Sequence, residues 1–169
     1  MTDGLLVSIL FVFTLTFVCF PGLVEDTELR LLDGVPNMVS WWNLLVLSVF
    51  NFFDSMGRYL GGVLLASNRV VNTMALARSV FLGTFLWVAF EGGPAWVFGA
   101  DWFKIANLVL FSFSNGYVST VCAVKAPQQV KEGDARMQVG GFIGITLSTG
   151  IMLGSLLAFA MTLLLEKTP

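Results

Sequence analysis

Apolar residues in this chain come in long runs, and the charged residues stand at the ends of those runs. Residues 4–24, 34–53, 105–124 and 137–165 contain no Asp, Glu, Lys or Arg. The second run resumes beyond Asp54 and Arg58 as residues 59–68, and a shorter one, 79–90, is extended backwards by 70–77 across Arg78. A helix needs about 20 mostly apolar residues to cross the roughly 30 Å hydrocarbon layer. In lipid every backbone N–H and C=O must be satisfied within the protein, so runs of this length predict helices. The two-residue alternation of a membrane β-barrel is absent, as the run Asn107-Leu-Val-Leu-Phe111 illustrates. The pattern predicts an all-α membrane protein, a five-helix transmembrane bundle with spans at about 4–24, 38–66, 72–92, 102–124 and 137–165.

Composition agrees. Of 169 residues, 56 % are hydrophobic and 12 % charged, against about 45–50 % and 25 % in soluble domains. The net charge of −2 gives no reason to expect a nucleic-acid partner. Cys19 and Cys122 both lie within apolar runs, so neither a disulfide framework nor zinc-ligand spacing exists, and the chain has no His. No metal or cofactor site is expected. The first span carries Asp3 and no basic residue ahead of it, and no small-x-small cleavage site follows Phe20-Pro21-Gly22, which favours a retained helix over a cleaved signal. Arg58, Arg69, Arg78, Lys125, Lys131 and Arg136 gather on one side of the alternating loops, and Arg30, Lys104 and Lys167 on the other. That bias places the N-terminus in the cytoplasm and the C-terminus outside. Trp41, Trp42, Trp96 and Trp102 near the outer ends fit an interfacial belt. The connections 25–38 and 125–136 are the two polar enough to lie wholly in water.

Polar residues inside the spans carry the candidate chemistry. Asn51, Asp54 and Arg58 recur at steps of three and four, on one side of a helix, with the acid ahead of the base in the favourable ion-pair order. Charge inside a membrane helix costs roughly 2.5–3.5 kcal/mol per residue, so such residues face a cavity or a partner. A structural ion pair accounts for Asp54 and Arg58 as well as a binding role does. Asn51 one turn earlier tips the balance toward a face that hydrogen-bonds a hydroxylated, uncharged solute. Ser112, Asn115 and Ser119 share a face of the fourth span beside Gly116, where interhelical hydrogen bonding is the ordinary role of such residues and ligand contact the less ordinary one. Small-x-x-x-small pairs at Gly57/Gly61, Gly140/Gly144/Ser148 and Gly150/Gly154/Ala158 predict close helix contacts and a fifth span buried between neighbours. Pro21 is expected to kink or end the first span, whose Phe13, Phe17 and Phe20 form a stripe suited to packing or to stacking on a flat ligand.

These segments resemble the equilibrative nucleoside transporters. Asn51-Phe-Phe-Asp54-Ser-Met-Gly57-Arg58 is similar to the signature of that family's eighth span, and Phe111-Ser-Phe-Ser-Asn115-Gly116-Tyr117 to that of its tenth. Phe13-Thr14-Leu-Thr16 with Phe20-Pro21 resembles the seventh, Ala77-Arg78 the start of the ninth, and Pro127 with Val130-Lys131 the loop before the eleventh. The resemblance implies the C-terminal half, spans seven to eleven, of a major-facilitator-like eleven-helix transporter. It also implies that a six-helix N-terminal half supplies the opposite wall of the cavity, whether the gene is truncated, split or decayed. It implies movement of nucleosides or nucleobases down their gradient by alternating access, in the plasma membrane rather than an internal one. By the same resemblance Asn51, Asp54, Arg58 and Phe20 contact substrate, with Asp54 and Arg58 near the sugar hydroxyls. Asn115 and Gly116 shape the cavity or bundle, with Ser112 on the same face serving cavity or packing, and Arg78 belongs to a cytoplasmic gate with Asp134. Arg136, next to Glu132 and Asp134, is a rival partner for either acid.

Two other classes compete. An intramembrane enzyme is disfavoured, because no His is present and Asp54 is the one carboxylate deep in a span, so no aspartyl dyad forms. A non-catalytic multi-span subunit whose polar face is structural fits the chain length, but it leaves the row Asn51, Asp54, Arg58 without a reason.

Overall fold

A computed structural model describes residues 2–24, 38–89, 100–131 and 133–165, and those residues are helical apart from short connections. Helix α1 (Thr2–Val18) ends in a kink over Cys19–Leu23, within which Phe20 leaves helical geometry at φ −121°, ψ 132°. The ring of Pro21 disfavours the α conformation for the residue before it, and the break predicted at the proline falls on Phe20. Helix α2 covers Met38–Val63. Helix α3 (Asn68–Ala77) starts at Ser67, whose hydroxyl accepts the Val70 N–H at 3.5 Å. It runs into α4 (Ser79–Ala89) through Arg78, which keeps α geometry at φ −61°, ψ −20°. Helices α5 (Asp101–Gln128) and α6 (Gly133–Leu165) complete the bundle.

Among the described residues, three stretches are long and apolar enough to cross a membrane: Asn68–Val88, Asp101–Gln128 and Gly133–Leu163. The first helix is apolar but short before its break. The second, 26 residues long, carries Asn43, Asn51, Asp54 and Arg58, which lower its hydropathy. The chain is thus an all-α membrane protein whose described residues form five rods, with α3 and α4 making one.

Helix α1 is the hub, touching α3, α5 and α6, while α2 packs on α5. Two apolar cores fill the bundle. In one, Leu5, Ile9 and Val12 meet Val71, Val118, Val121 and Cys122. In the other, Leu15 and Cys19 meet Trp42, Val46, Phe85, Leu108 and Phe111. Where they join, α1 and α5 carry polar rather than apolar side chains, and the candidate site is built there.

Four expectations change. Arg78 sits at the middle of the α3–α4 rod and not near the start of a span, because Ser67 caps the helix several residues before position 72. The connection 125–136 is mostly helix: α5 continues to Gln128 and α6 resumes at Gly133. Trp42 is buried in the core while Trp41 and Trp102 are exposed, and Trp96 lies outside the described residues. Finally, α6 is not enclosed on two faces. Gly150 and Gly154 abut α1, but a Cβ added at Gly140 or Gly144 would meet nothing within 4 Å. Both sets have the spacing that permits close approach; a neighbouring helix occupies one of them.

Candidate functional site

Backbone proximity comes first. At the crossing of α2 and α5, a Cβ placed on Gly116 would fall on the carbonyl oxygen of Asp54, and one on Gly57 would fall on the carbonyl oxygen of Phe113. One turn on, a Cβ at Gly61 would come within 2.8 Å of the Tyr117 carbonyl. No residue but glycine lets these helices approach so closely, and the approach brings Asp54 against Asn115. The turn after α2 is tied to the same helix: the Tyr117 hydroxyl donates to the Leu64 carbonyl at 3.0 Å and the Lys125 ammonium to the Ala66 carbonyl at 2.7 Å.

Asp54 is 8 % exposed and divides its two oxygens. Oδ1 accepts the Asn115 Nδ2 at 2.7 Å, and Oδ2 accepts the Arg58 Nε at 2.6 Å. The Asp54–Arg58 ion pair predicted from the sequence is therefore present, with the arginine side chain 46 % exposed. Asn115, 2 % exposed, turns its carbonyl the other way, toward α1 and the α3–α4 rod. Its Oδ1 lies 2.7 Å from the Thr16 hydroxyl and 3.4 Å from the Arg78 Nη2. Arg78 is 1 % exposed. It donates from Nη2 to Thr16 Oγ1 at 2.9 Å, and from Nη1 to the Phe111 carbonyl at 2.8 Å and to the Ser114 hydroxyl. Its guanidinium also lies over the Phe111 ring, 4.7 Å from the centroid, an arrangement that partly offsets the cost of burying the charge.

The sequence-predicted residues divide accordingly. Asp54, Asn115 and Gly116 come together at the α2–α5 crossing. Asn51 and Arg58 do not share that burial; both lie on the exposed side of α2. Together with Ser48, Ser55 and Gly62 they form an exposed polar stripe at alternating steps of three and four. A separate exposed stripe on the same helix, Leu45, Phe52, Met56, Tyr59 and Val63, is apolar or amphipathic. One helix thus has a side suited to acyl chains and another that is not.

Phe20 stacks on Phe50, centroids 4.4 Å apart at 18°, and Phe50 leads on to Phe111, which Phe81 and Phe85 meet edge-on. This aromatic cluster adjoins the polar junction. Ser112 and Ser119 bond within α5, to the Leu108 and Gly116 carbonyls, so of the three polar residues on that face Asn115 is the one that bonds across helices. The pairing of Arg78 with Asp134 is not made: Asp134 is exposed in the first turn of α6, while Arg78 is buried against α1 and α5. Arg136 donates to the Val130 carbonyl at 2.9 Å, and Glu132 lies outside the described residues.

Sequence reasoning missed Thr16, Ser114 and the central place of Arg78. A signal existed. Arg78 stands in an apolar run with no acid three or four residues away, and an intramembrane arginine without a partner on its own helix must find acceptors on others.

The model of the family described as nucleoside transporter matches residues 3–163. The chain is 27 % identical over 161 residues to mouse equilibrative nucleoside transporter 1, a match covering 90 % of this chain and 35 % of that protein. It is 25 % identical over 169 residues both to Leishmania donovani nucleoside transporter 1.2 and to Crithidia fasciculata adenosine transporter 1, each match covering 95 % of this chain and 32 % of the relative. The chain spans about a third of the length of the curated relatives it matches. With nearly its whole length matched by that family model, the chain belongs to the nucleoside transporter family.

Proposed function

We propose that this chain forms the C-terminal part of a transporter that moves nucleosides across the membrane by facilitated diffusion, with the exposed polar side of α2 lining the route. The observation that carries this reading is the polar stripe Ser48, Asn51, Ser55, Arg58, Gly62 running beside the buried carboxylate of Asp54. A guanidinium facing lipid would be costly, so this side faces a water-filled path or a further part of the protein. The half-exposed Arg58 offers its Nη donors, Asp54 is an acceptor buried just behind it, and Asn51 offers both kinds of group. That combination matches a neutral solute with a pair of hydroxyls and a heterocycle. Phe20, stacked on Phe50, provides an aromatic wall for the heterocycle. The names of the relatives, which include an adenosine transporter, support nucleosides as the substrate class.

In this reading no chemical step occurs; the protein binds, reorients and releases. The N-terminal portion present in the longer relatives supplies the facing wall, and access alternates between the two membrane sides. The N-terminus lies in the cytoplasm, the C-terminus outside, and the protein resides in the plasma membrane.

A second reading, that Asp54 and Asn115 serve packing between helices, is favoured by their burial and their mutual bond at 2.7 Å. One variant separates the two. The chain is fused behind the corresponding N-terminal portion of mouse equilibrative nucleoside transporter 1, expressed in cells lacking nucleoside uptake, and compared with its Asp54→Asn form. Transport predicts wild-type uptake and a loss of about tenfold or more in the variant, at unchanged abundance in the membrane. Loss of the protein from the membrane instead would assign Asp54 to packing, and unchanged uptake would remove it from the site.

A further inference from the structure

We propose that Arg78 is a positioning residue for the α2 site: it sets the orientation of the Asn115 amide and thereby fixes which way Asp54 faces. This rests on the transport reading above only for what the site binds; the wiring itself stands on the geometry.

An asparagine side chain is a donor at one end and an acceptor at the other, with nearly the same shape either way round. Asn115 lies between two groups that are not ambiguous. Guanidinium has donors and no acceptor, and an ionised carboxylate has acceptors and no donor. With Arg78 and Thr16 on one side and Asp54 on the other, one amide orientation satisfies both neighbours: Oδ1 toward Arg78 and Thr16, Nδ2 toward Asp54. That is the orientation observed.

Thr16 acts as a relay. Because its oxygen accepts from Arg78 Nη2, its own proton is free to go to Asn115 Oδ1 or to the Val12 carbonyl, both 2.7 Å away. Arg78 is held by three further acceptors or rings on α5, the Phe111 carbonyl, the Ser114 hydroxyl and the Phe111 face, so it does not follow Asn115 if the amide turns. Without the arginine, either end of the amide can turn to Asp54. The wrong one sets a carbonyl against a carboxylate and turns Asp54 away from the Arg58 side, where a substrate hydroxyl is read. Arg78 donates to Thr16, Phe111, Ser114 and Asn115 and makes no hydrogen bond to α2, so the hydrogen-bonded path from it to Asp54 runs through Asn115.

The test has two arms. The first needs no substrate. In the full protein, melting temperatures in detergent are measured for Arg78→Met, Asp54→Asn and their double variant. Asparagine at position 54 can accept or donate, so it tolerates either end of Asn115 and makes the orienting arginine redundant. The expected result is a double variant melting no lower than the worse single one, with this non-additivity absent in an Asn115→Leu background. Strict additivity in the Asn115 background would overturn the proposal and leave Arg78 as an anchor between helices. Should Arg78→Met fail to yield folded protein, Thr16→Val cuts the relay without removing the charge, and its cycle with Asp54→Asn is scored the same way.

The second arm measures uptake of a ribonucleoside and its 2′,3′-dideoxy analogue by wild-type and Thr16→Val or Arg78→Met protein. The preference in KM for the ribonucleoside is expected to fall about tenfold, with maximal rate less affected. A lowered rate with that preference intact would overturn the positioning role. A wild type that moves no nucleoside would defeat the transport reading, while the first arm would still decide the wiring.

Discussion

Two seams in this protein are built from the same residue and differ in what they carry. In one, Gly57, Gly61 and Gly116 draw α2 against α5; in the other, Gly150 and Gly154 draw α6 against α1, close to the Leu10 and Thr14 carbonyls. The first crossing sits beside Asp54, Asn115 and Arg58. The second is flanked by Phe13 and Phe17, and its contacts are apolar or backbone. Small residues therefore determine how near two helices come, and the side chains one turn away determine whether nearness makes a site. The difference also shows in shape: α2 keeps a polar side exposed, whereas most of the exposed side chains of α6 are apolar or small.

The comparison breaks most sharply at Gly116. Its missing Cβ would coincide with backbone of α2, which cannot rotate away, so Gly116→Ala should cost about 3 kcal/mol or more and drive the helices apart. Little folded protein should reach the membrane, measured by surface labelling and melting temperature. Near-normal melting would show that α2 and α5 are not in contact. Gly154→Ala comes next, because its Cβ would approach the Thr14 carbonyl at 2.5 Å and the Phe17 Cβ at 2.7 Å. It should lose about 1–3 kcal/mol, while the KM preference for ribonucleoside over dideoxy analogue stays put. A change in that preference would mean the two seams are not separate in function. Gly144→Ala is the smallest effect. With nothing within 4 Å of the added methyl, melting should shift by the equivalent of about 0.5 kcal/mol or less. A large loss would reveal a neighbour seated on that side of α6 in the full protein.

The hydrophobic pattern placed the five rods, because the bilayer's thickness and its lack of water leave few alternatives for long apolar runs. It placed the break near Pro21 for a reason internal to the backbone, and the Asp54–Arg58 pair because four residues is one helical turn. It could not choose between Gly140/Gly144 and Gly150/Gly154 as a contact face, since both have the same spacing and the difference lies in where α1 passes. Nor could it assign Ser112 and Ser119 to bonds within their own helix. Their spacing brings them to the same face as Asn115, but a hydroxyl on a short arm reaches its own helix's carbonyls first.

What the sequence determined without aid is the class of molecule, the helices and the local ion pair, each a consequence of solvent or of contacts within one turn. What the tertiary structure decided is the company of Arg78. Its acceptors on α1 and α5 lie 62 positions earlier, at Thr16, and 33 to 37 later, from Phe111 to Asn115. No periodicity in one helix specifies which residues of another stand opposite it. That depends on the depth at which glycines let the helices cross, and here the crossing sets a guanidinium, an amide and a carboxylate in line.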